Sequence, residues 1–173
     1  MKIILLGYMG SGKSSVGRSL AEKLNKKFLD LDEEIVSAEN KSISAIFEDS
    51  GEIYFRKSEN AVLKQLLQSE ESFILSLGGG TPCYANNLEM ILQAQKVRSV
   101  YLKTSLGELR DRLWQERTSR PLISHLESKE ALEDFIRKHL FERTYYYNQS
   151  EITVTTDDKS IEEIASEILS LLN

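Results

Sequence analysis

Cysteine is almost missing: Cys83 is the single one in 173 residues. One thiol cannot close an intrachain disulfide, so a disulfide-stapled scaffold is excluded and a reducing compartment, the cytoplasm, is expected. Proline is nearly as scarce, at Pro82 and Pro121 only. No Pro/Gly/Ser-rich stretch is long enough to separate domains, and no repeat with a period of about 20–50 residues occurs. Apolar runs stay far short of the roughly 20 residues that a membrane span needs. The opening run from Met1 to Gly7 is too short for the apolar part of a secretory signal and lacks a small-residue cleavage pattern. It reads as a strand. Positive charge is in deficit: 22 Lys and Arg against 27 Asp and Glu leave −5 at pH 7. Such a field repels phosphate, so no general affinity for nucleic acid or for an acidic membrane surface is expected.

What is present suits one folded domain over residues 1–173. The hydrophobic fraction is 40% and the charged fraction 28%, enough apolar material for a sizeable core and too much for a disordered chain. Apolar runs suited to buried strands lie at about 2–7, 27–31, 72–77, 97–102 and 151–155. Helical spacing of apolar residues covers about 13–24, 53–67, 106–114, 129–147 and 160–172, and two of these open on Ser-x-x-Glu capping boxes, Ser105 with Glu108 and Ser160 with Glu163. Strands alternating with helices predict a three-layer α/β/α sandwich with about five parallel strands. Ligands in such sheets sit at the carboxyl ends of the strands, and the motifs below all fall at such ends.

Residues 7–14 read Gly7-Tyr8-Met9-Gly10-Ser11-Gly12-Lys13-Ser14, between the first strand and the first helix. Gly7 and Gly12 permit backbone angles that a β-carbon forbids. The loop can then turn successive N–H groups inward at a helix N-terminus, an anion nest for the phosphates of ATP. Gly10, Ser11, Gly12, Lys13, Ser14 and Ser15 are the expected phosphate contacts. Lys13 brings a point charge to the β/γ-phosphates, and the Ser14 hydroxyl can ligate Mg²⁺.

The rest of the chain narrows the type. Asn25-Lys26 and Asn40-Lys41 are not followed by the aspartate of a guanine-reading segment, and the apolar run Phe73–Leu77 ends in Gly78-Gly79-Gly80 without a carboxylate. The carboxylates available are Asp30 and Asp32. On a strand, positions i and i+2 point to one side, so the pair is expected to converge beside the phosphate loop. One can hold a magnesium-bound water and the other accept a proton from an alcohol, which an attacking phosphate would not require. The plainer alternative is that Asp32 caps a helix beginning at Glu33-Glu34. Arg56 stands near a helix start, where a cation is disfavoured unless an anion is near; pairing with Glu52 or Glu59 is the plainer account. Gly78, Gly79 and Gly80 would let a ligand approach the backbone and accept its N–H groups, or form an ordinary turn. Arg120 sits in the polar stretch 115–126, which suits a mobile lid over the phosphates or a solvated loop. Arg143 closes the long helix, where the dipole alone favours it.

Taken together, these segments resemble shikimate kinase: the loop at 7–14, Asp30-Leu31-Asp32, Gly51-Glu52 with Phe55-Arg56, Leu77-Gly78-Gly79-Gly80, Arg120-Pro121-Leu122, and Arg143 with Tyr146. The resemblance spans nearly the whole chain. It implies a P-loop kinase fold of the nucleoside-monophosphate-kinase type, with a substrate-binding helical region at about 32–70. It implies transfer of phosphate from ATP, with Mg²⁺, to the 3-hydroxyl of shikimate. Asp32 would bind that hydroxyl and act as base, and Asp30 would hold magnesium through water. Arg56, Arg143 and the Gly79 N–H would take the shikimate carboxylate. Arg120 would act from the lid, with Lys13, on the transferred group. Either Arg112 or Arg117 would contact adenine. Thr155–Lys159 lacks an arginine found there in some relatives, and Thr144-Tyr145-Tyr146 replaces the usual Pro-Leu-Tyr. A kinase for another hydroxylated carboxylate such as gluconate is the alternative, and a monomer is expected.

Overall fold

The structure, a computed structural model, describes residues 1–172; Asn173, the last residue of the predicted domain, lies outside the described residues. Chain order runs β1 (Lys2–Leu6), α1 (Lys13–Leu24), β2 (Lys27–Asp30), α2 (Leu31–Glu39), α3 (Ile43–Gln68), β3 (Phe73–Ser76), α4 (Asn87–Gln93), β4 (Val97–Lys103), α5 (Leu106–Glu116), α6 (Lys129–Tyr147), β5 (Ile152–Thr155) and α7 (Ile161–Leu172). The five strands form one parallel sheet in the order β2-β3-β1-β4-β5. The expected sandwich is therefore what forms. In β1 every residue is buried because both faces are covered. Ile3 and Leu5 pack with Val16 and Leu20 of α1 and with Ile164 and Ile168 of α7. Ile4 and Leu6 face the other way, toward Ile35, Leu63, Leu113 and Ile136. Each such side chain contributes about 1.5–3 kcal/mol by leaving water. At Gly17, a β-carbon would stand 2.4 Å from the Phe28 ring and 3.2 Å from Leu5, so glycine lets α1 lie close on the sheet.

Register aligns the carboxyl ends. Leu5 is level with Ser76 of β3 and Val100 of β4, and Asp30 of β2 is level with Ser76. The loop after β1, the end of β2 and the glycine turn after β3 therefore open on one edge.

Three local expectations change. Helix α2 starts directly at the end of β2, so Asp32 is helical rather than the last residue of a strand. The helix expected at 53–67 extends back to Ile43 across a kink at Gly51, φ 82° and ψ 175°. Ser160 and Glu163 make a complete capping box, each backbone N–H donating to the other's side chain. Ser105 makes half of one. Its hydroxyl accepts from Glu108 N, but its own N–H donates to Asp157, and the Glu108 carboxylate pairs with Arg112. Among the described residues, no helix is long and apolar enough to cross a membrane.

Candidate active site

The loop between β1 and α1 holds Gly7 at φ +149° and Gly12 at φ +92°, as the motif requires. Gly12 is the N-cap of α1 and offers no side-chain cap, so the first N–H groups of the helix are left for a ligand. Lys13 Nζ donates to the Gly7 and Tyr8 carbonyls, 2.9 Å each, and lies almost fully buried. Burial pushes its pKa down to about 8; Asp30 and Asp32 oppose the fall, whereas Arg120 and Arg143 add to it. A polyanion brought to the loop would reverse that fall.

A cleft of about 350 Å³ is lined by Met9, Gly10 and Gly12–Ser15 of the loop, by Asp30 and Asp32, by Ser76–Gly79, and by Glu116 and Arg120; Ser11 is buried behind it, its N–H donating to the Tyr8 carbonyl. The two carboxylates share it, though not through strand alternation. Asp30 ends β2 and caps α2: its Oδ1 accepts from Asp32 N at 3.0 Å, and its Oδ2 accepts from Ser14 Oγ at 3.4 Å. Asp30 and not Asp32 is thus the cap. The Asp32 carboxyl is free to face the cleft, beside Gly78. Burial first, then the charges of Asp30 and Glu59, raise its pKa to about 6 against Lys13 and Arg56. Among the described residues, no three His, Cys, Asp or Glu are grouped to hold a metal. Ser14 and Asp30 supply hard oxygens of the kind magnesium uses beside phosphates and water.

The glycine turn is a matter of close approach rather than of unusual φ. A β-carbon on Gly78 would meet Asp32 Oδ1 at 3.6 Å, one on Gly79 would meet Arg143 Nη1 at 3.5 Å, and one on Gly80 would meet Arg56 Nη2 at 3.1 Å. The sheet edge thus gathers a carboxylate and two guanidinium groups along three consecutive residues. After the turn comes a single 3₁₀ turn, Thr81–Cys83, with Pro82 inside it. Cys83 is half-buried there, its thiol pushed up to about 11 by burial. Arg56 Nη1 donates to Glu59 Oε2 at 2.9 Å, and Glu52 is 3.9 Å from Nε. Glu59 is 1% exposed and also accepts from Thr81 Oγ1 at 2.7 Å. It therefore ties α3 to the glycine turn. Sequence reasoning reached Glu59 only as a helical partner, because Thr81 lies 22 residues away.

Arg143 lies on α6, which runs unbroken through Thr144-Tyr145-Tyr146 to Tyr147. Its guanidinium is 5.6 Å from the centre of the Tyr8 ring. It is Tyr147, fully buried, that donates to the Gly79 carbonyl, while Tyr146 packs at the core margin. The Tyr8 hydroxyl and His139 Nδ1, 131 residues apart, are hydrogen-bonded at 2.7 Å and join the phosphate loop to α6 one turn before Arg143. Neither Tyr147 nor this pair carries a local signal.

The two adenine candidates part company. Arg112 Nη1 reaches the Gly10 carbonyl at 3.3 Å, whereas Arg117 stacks on Trp114, 3.8 Å from the ring centre. Arg120 lines the cleft and is paired with Glu116. A larger hollow, about 570 Å³, lies at the opposite edge of the sheet near Lys2 and Ser69. There Lys2 Nζ already donates to two backbone carbonyls, so the smaller cleft is the chemical one.

Comparison with known proteins agrees with this geometry. A family model described as shikimate kinase matches residues 9–173. The shikimate kinase of Flavobacterium psychrophilum is 47% identical over 171 residues, covering 99% of this chain and 98% of that one. A crystal structure of shikimate kinase from Bacteroides thetaiotaomicron superposes with a TM-score of 0.89 at 31% identity, over 99% of this chain and 98% of the other. Shikimate kinase from Acinetobacter baumannii, solved in complex with shikimate, gives 0.85 at 35% identity, over 99% and 92%. The matches run along essentially the whole of this chain and of its relatives, and the chain belongs to the shikimate kinase family.

Proposed function

We infer that this chain transfers the γ-phosphoryl group of ATP to the 3-hydroxyl of shikimate, giving shikimate 3-phosphate and ADP on the route to chorismate and aromatic amino acids. The observation that carries the reading is the row of Asp32, Arg143 and Arg56 along Gly78–Gly80, whose Asp32 end opens into the cleft that holds Lys13 and Ser14. A small ring with a carboxylate at one end and a hydroxyl at the other matches that row. The guanidinium groups of Arg56 and Arg143 take the carboxylate with the Gly79 N–H beside them, and Asp32 takes the hydroxyl. The end-to-end family match disfavours gluconate as acceptor.

In the transfer, the loop amides from Gly10 to Ser15 and Lys13 hold the β- and γ-phosphates. Asp32 orients the attacking hydroxyl and accepts its proton as the new O–P bond forms and ADP leaves. Lys13 and Arg120 stabilise the charge that spreads over the γ-oxygens. Mg²⁺, held through Ser14 and Asp30, would neutralise phosphate charge. Arg120 lines the cleft while paired with Glu116; in this reading 115–126 is a lid that closes over both substrates, and 32–70 is the acceptor-binding region of a single domain. Arg112 is the better placed of the two candidates for the adenine side. The enzyme acts as a monomer in the cytoplasm, where the lone Cys83 stays reduced.

The direct test is ADP release from MgATP with no acceptor, shikimate, gluconate or AMP. Strong stimulation by shikimate alone is expected; stimulation by another acceptor would reassign the pocket, and none at all would leave an ATP-binding protein without this activity. Replacing Arg56 or Arg143 by methionine should raise the KM for shikimate by about 10–100-fold, from roughly 1.5–3 kcal/mol for a charge-assisted hydrogen bond, with the KM for ATP little changed. An equal rise in both KM values would remove the carboxylate-binding role.

A further inference from the structure

We propose that Tyr84 is a positioning residue for acceptor binding: its ring face fixes the plane and place of the Arg56 guanidinium. The proposal rests on the reading of Arg56 as a ligand of the acceptor carboxylate. The Arg56 guanidinium carbon lies 3.7 Å from the centre of the Tyr84 ring and 5.1 Å from that of Phe55. The first distance is that of a cation stacked face-on over the ring, a geometry in which arginine gains from the ring's negative face.

Hydrogen bonding alone leaves Arg56 loosely held. Nη1 has Glu59, but Nε is buried and has no hydrogen-bond partner. One bond at one corner permits the planar group to swing about it, and the ring removes that freedom. Gly80 leaves room for the stack, since a β-carbon there would come within 3.1 Å of Arg56 Nη2 and 3.4 Å of Tyr84 Cε2. The same short turn supplies both restraints: Thr81 binds Glu59 through its hydroxyl, and the Tyr84 N–H closes on the Thr81 carbonyl. Core packing does not account for the ring, which is 38% exposed. Holding the cation before the substrate arrives lowers the cost of ordering it on binding.

The test compares Tyr84→Phe, Tyr84→Trp and Tyr84→Leu with Arg56→Met, in steady-state kinetics with shikimate and MgATP, each variant first checked by thermal unfolding. Tyr84→Leu should raise the KM for shikimate by about five- to thirtyfold, with kcat and the KM for ATP within about twofold of the unsubstituted enzyme. Tyr84→Phe and Tyr84→Trp keep a ring face and should stay near the unsubstituted values. If Tyr84→Leu leaves the KM for shikimate unchanged while Arg56→Met raises it, the positioning role is overturned and the role of Arg56 stands. If Tyr84→Phe behaves like Tyr84→Leu, the hydroxyl and not the ring face is at work, which also overturns it. If Arg56→Met does not raise that KM, the carboxylate reading falls and the role of Tyr84 falls with it.

Discussion

Replacing Asp32 by asparagine should lower kcat for shikimate-dependent ADP release by roughly 10²–10⁴-fold, the span a positioned general base contributes. Asparagine keeps the shape and can still hydrogen-bond the hydroxyl, but it cannot take the proton. Binding of MgATP near pH 7 should change little, because the hydrogen bonds of Lys13 and Ser14 do not include that carboxylate. The pH dependence gives a second, independent reading. The Asp32 pKa is raised to about 6, and only the ionised form is a base. As pH falls through about 6, kcat/KM for MgATP measured at subsaturating shikimate, which then reports groups of the free enzyme, should fall by about tenfold per unit. In the asparagine variant that acid limb should vanish along with most of the rate. A variant that kept near-normal turnover, or kept the acid limb, would move the base elsewhere.

The helix start at Leu31 is why this carboxylate was hard to place from the chain alone. A strand that passes into a helix without a turn leaves no Gly, Pro or polar cluster between them to mark the change. Asp30 serves both elements, closing the ladder with Ser76 and capping α2. Alternation along a strand therefore predicted the right convergence for a reason the fold does not use. The kink at Gly51 hid the first half of α3 similarly, because the apolar positions on its two sides do not share one helical register. By contrast, α1 and α6 take their expected bounds of 13–24 and 129–147. Each has its start fixed locally: the phosphate loop precedes one, and Ser128, whose side chain accepts from Ala131 N, caps the other. The site divides along the same line. Charged groups that a motif carries within a few residues could be read from the chain. The groups that hold them in place, Glu59 through Thr81, Tyr147 on Gly79, and Tyr8 through His139, come from separate elements. Nothing in spacing links such pairs until the sheet brings its carboxyl ends together.

Replacing Lys13 by methionine should lower kcat/KM for ATP by about 10²–10³-fold or more, the scale of losing one preorganised charge at a developing anion. The reason is where the ammonium waits. In the structure it donates to the Gly7 and Tyr8 carbonyls inside its own loop, desolvated and with its pKa pushed down to about 8. A phosphate arriving at the loop therefore meets a cation that has already lost its water, so the attraction is not spent on dehydrating it. Methionine reproduces the stem without the charge. The variant should remain folded, yet MgADP should no longer raise its unfolding temperature as it does for the unsubstituted enzyme. The lowered pKa also sets the basic limb of the profile. Above about pH 8 the free enzyme increasingly holds a neutral amine, so kcat/KM for MgATP should fall there, giving a bell between about 6 and about 8. Lys13→Arg retains the charge past that range and should flatten the basic limb even where its longer, planar head costs rate. A basic limb unchanged in Lys13→Arg would assign it to another group, and a methionine variant within about tenfold of normal turnover would show that the loop amides hold the phosphates without the lysine.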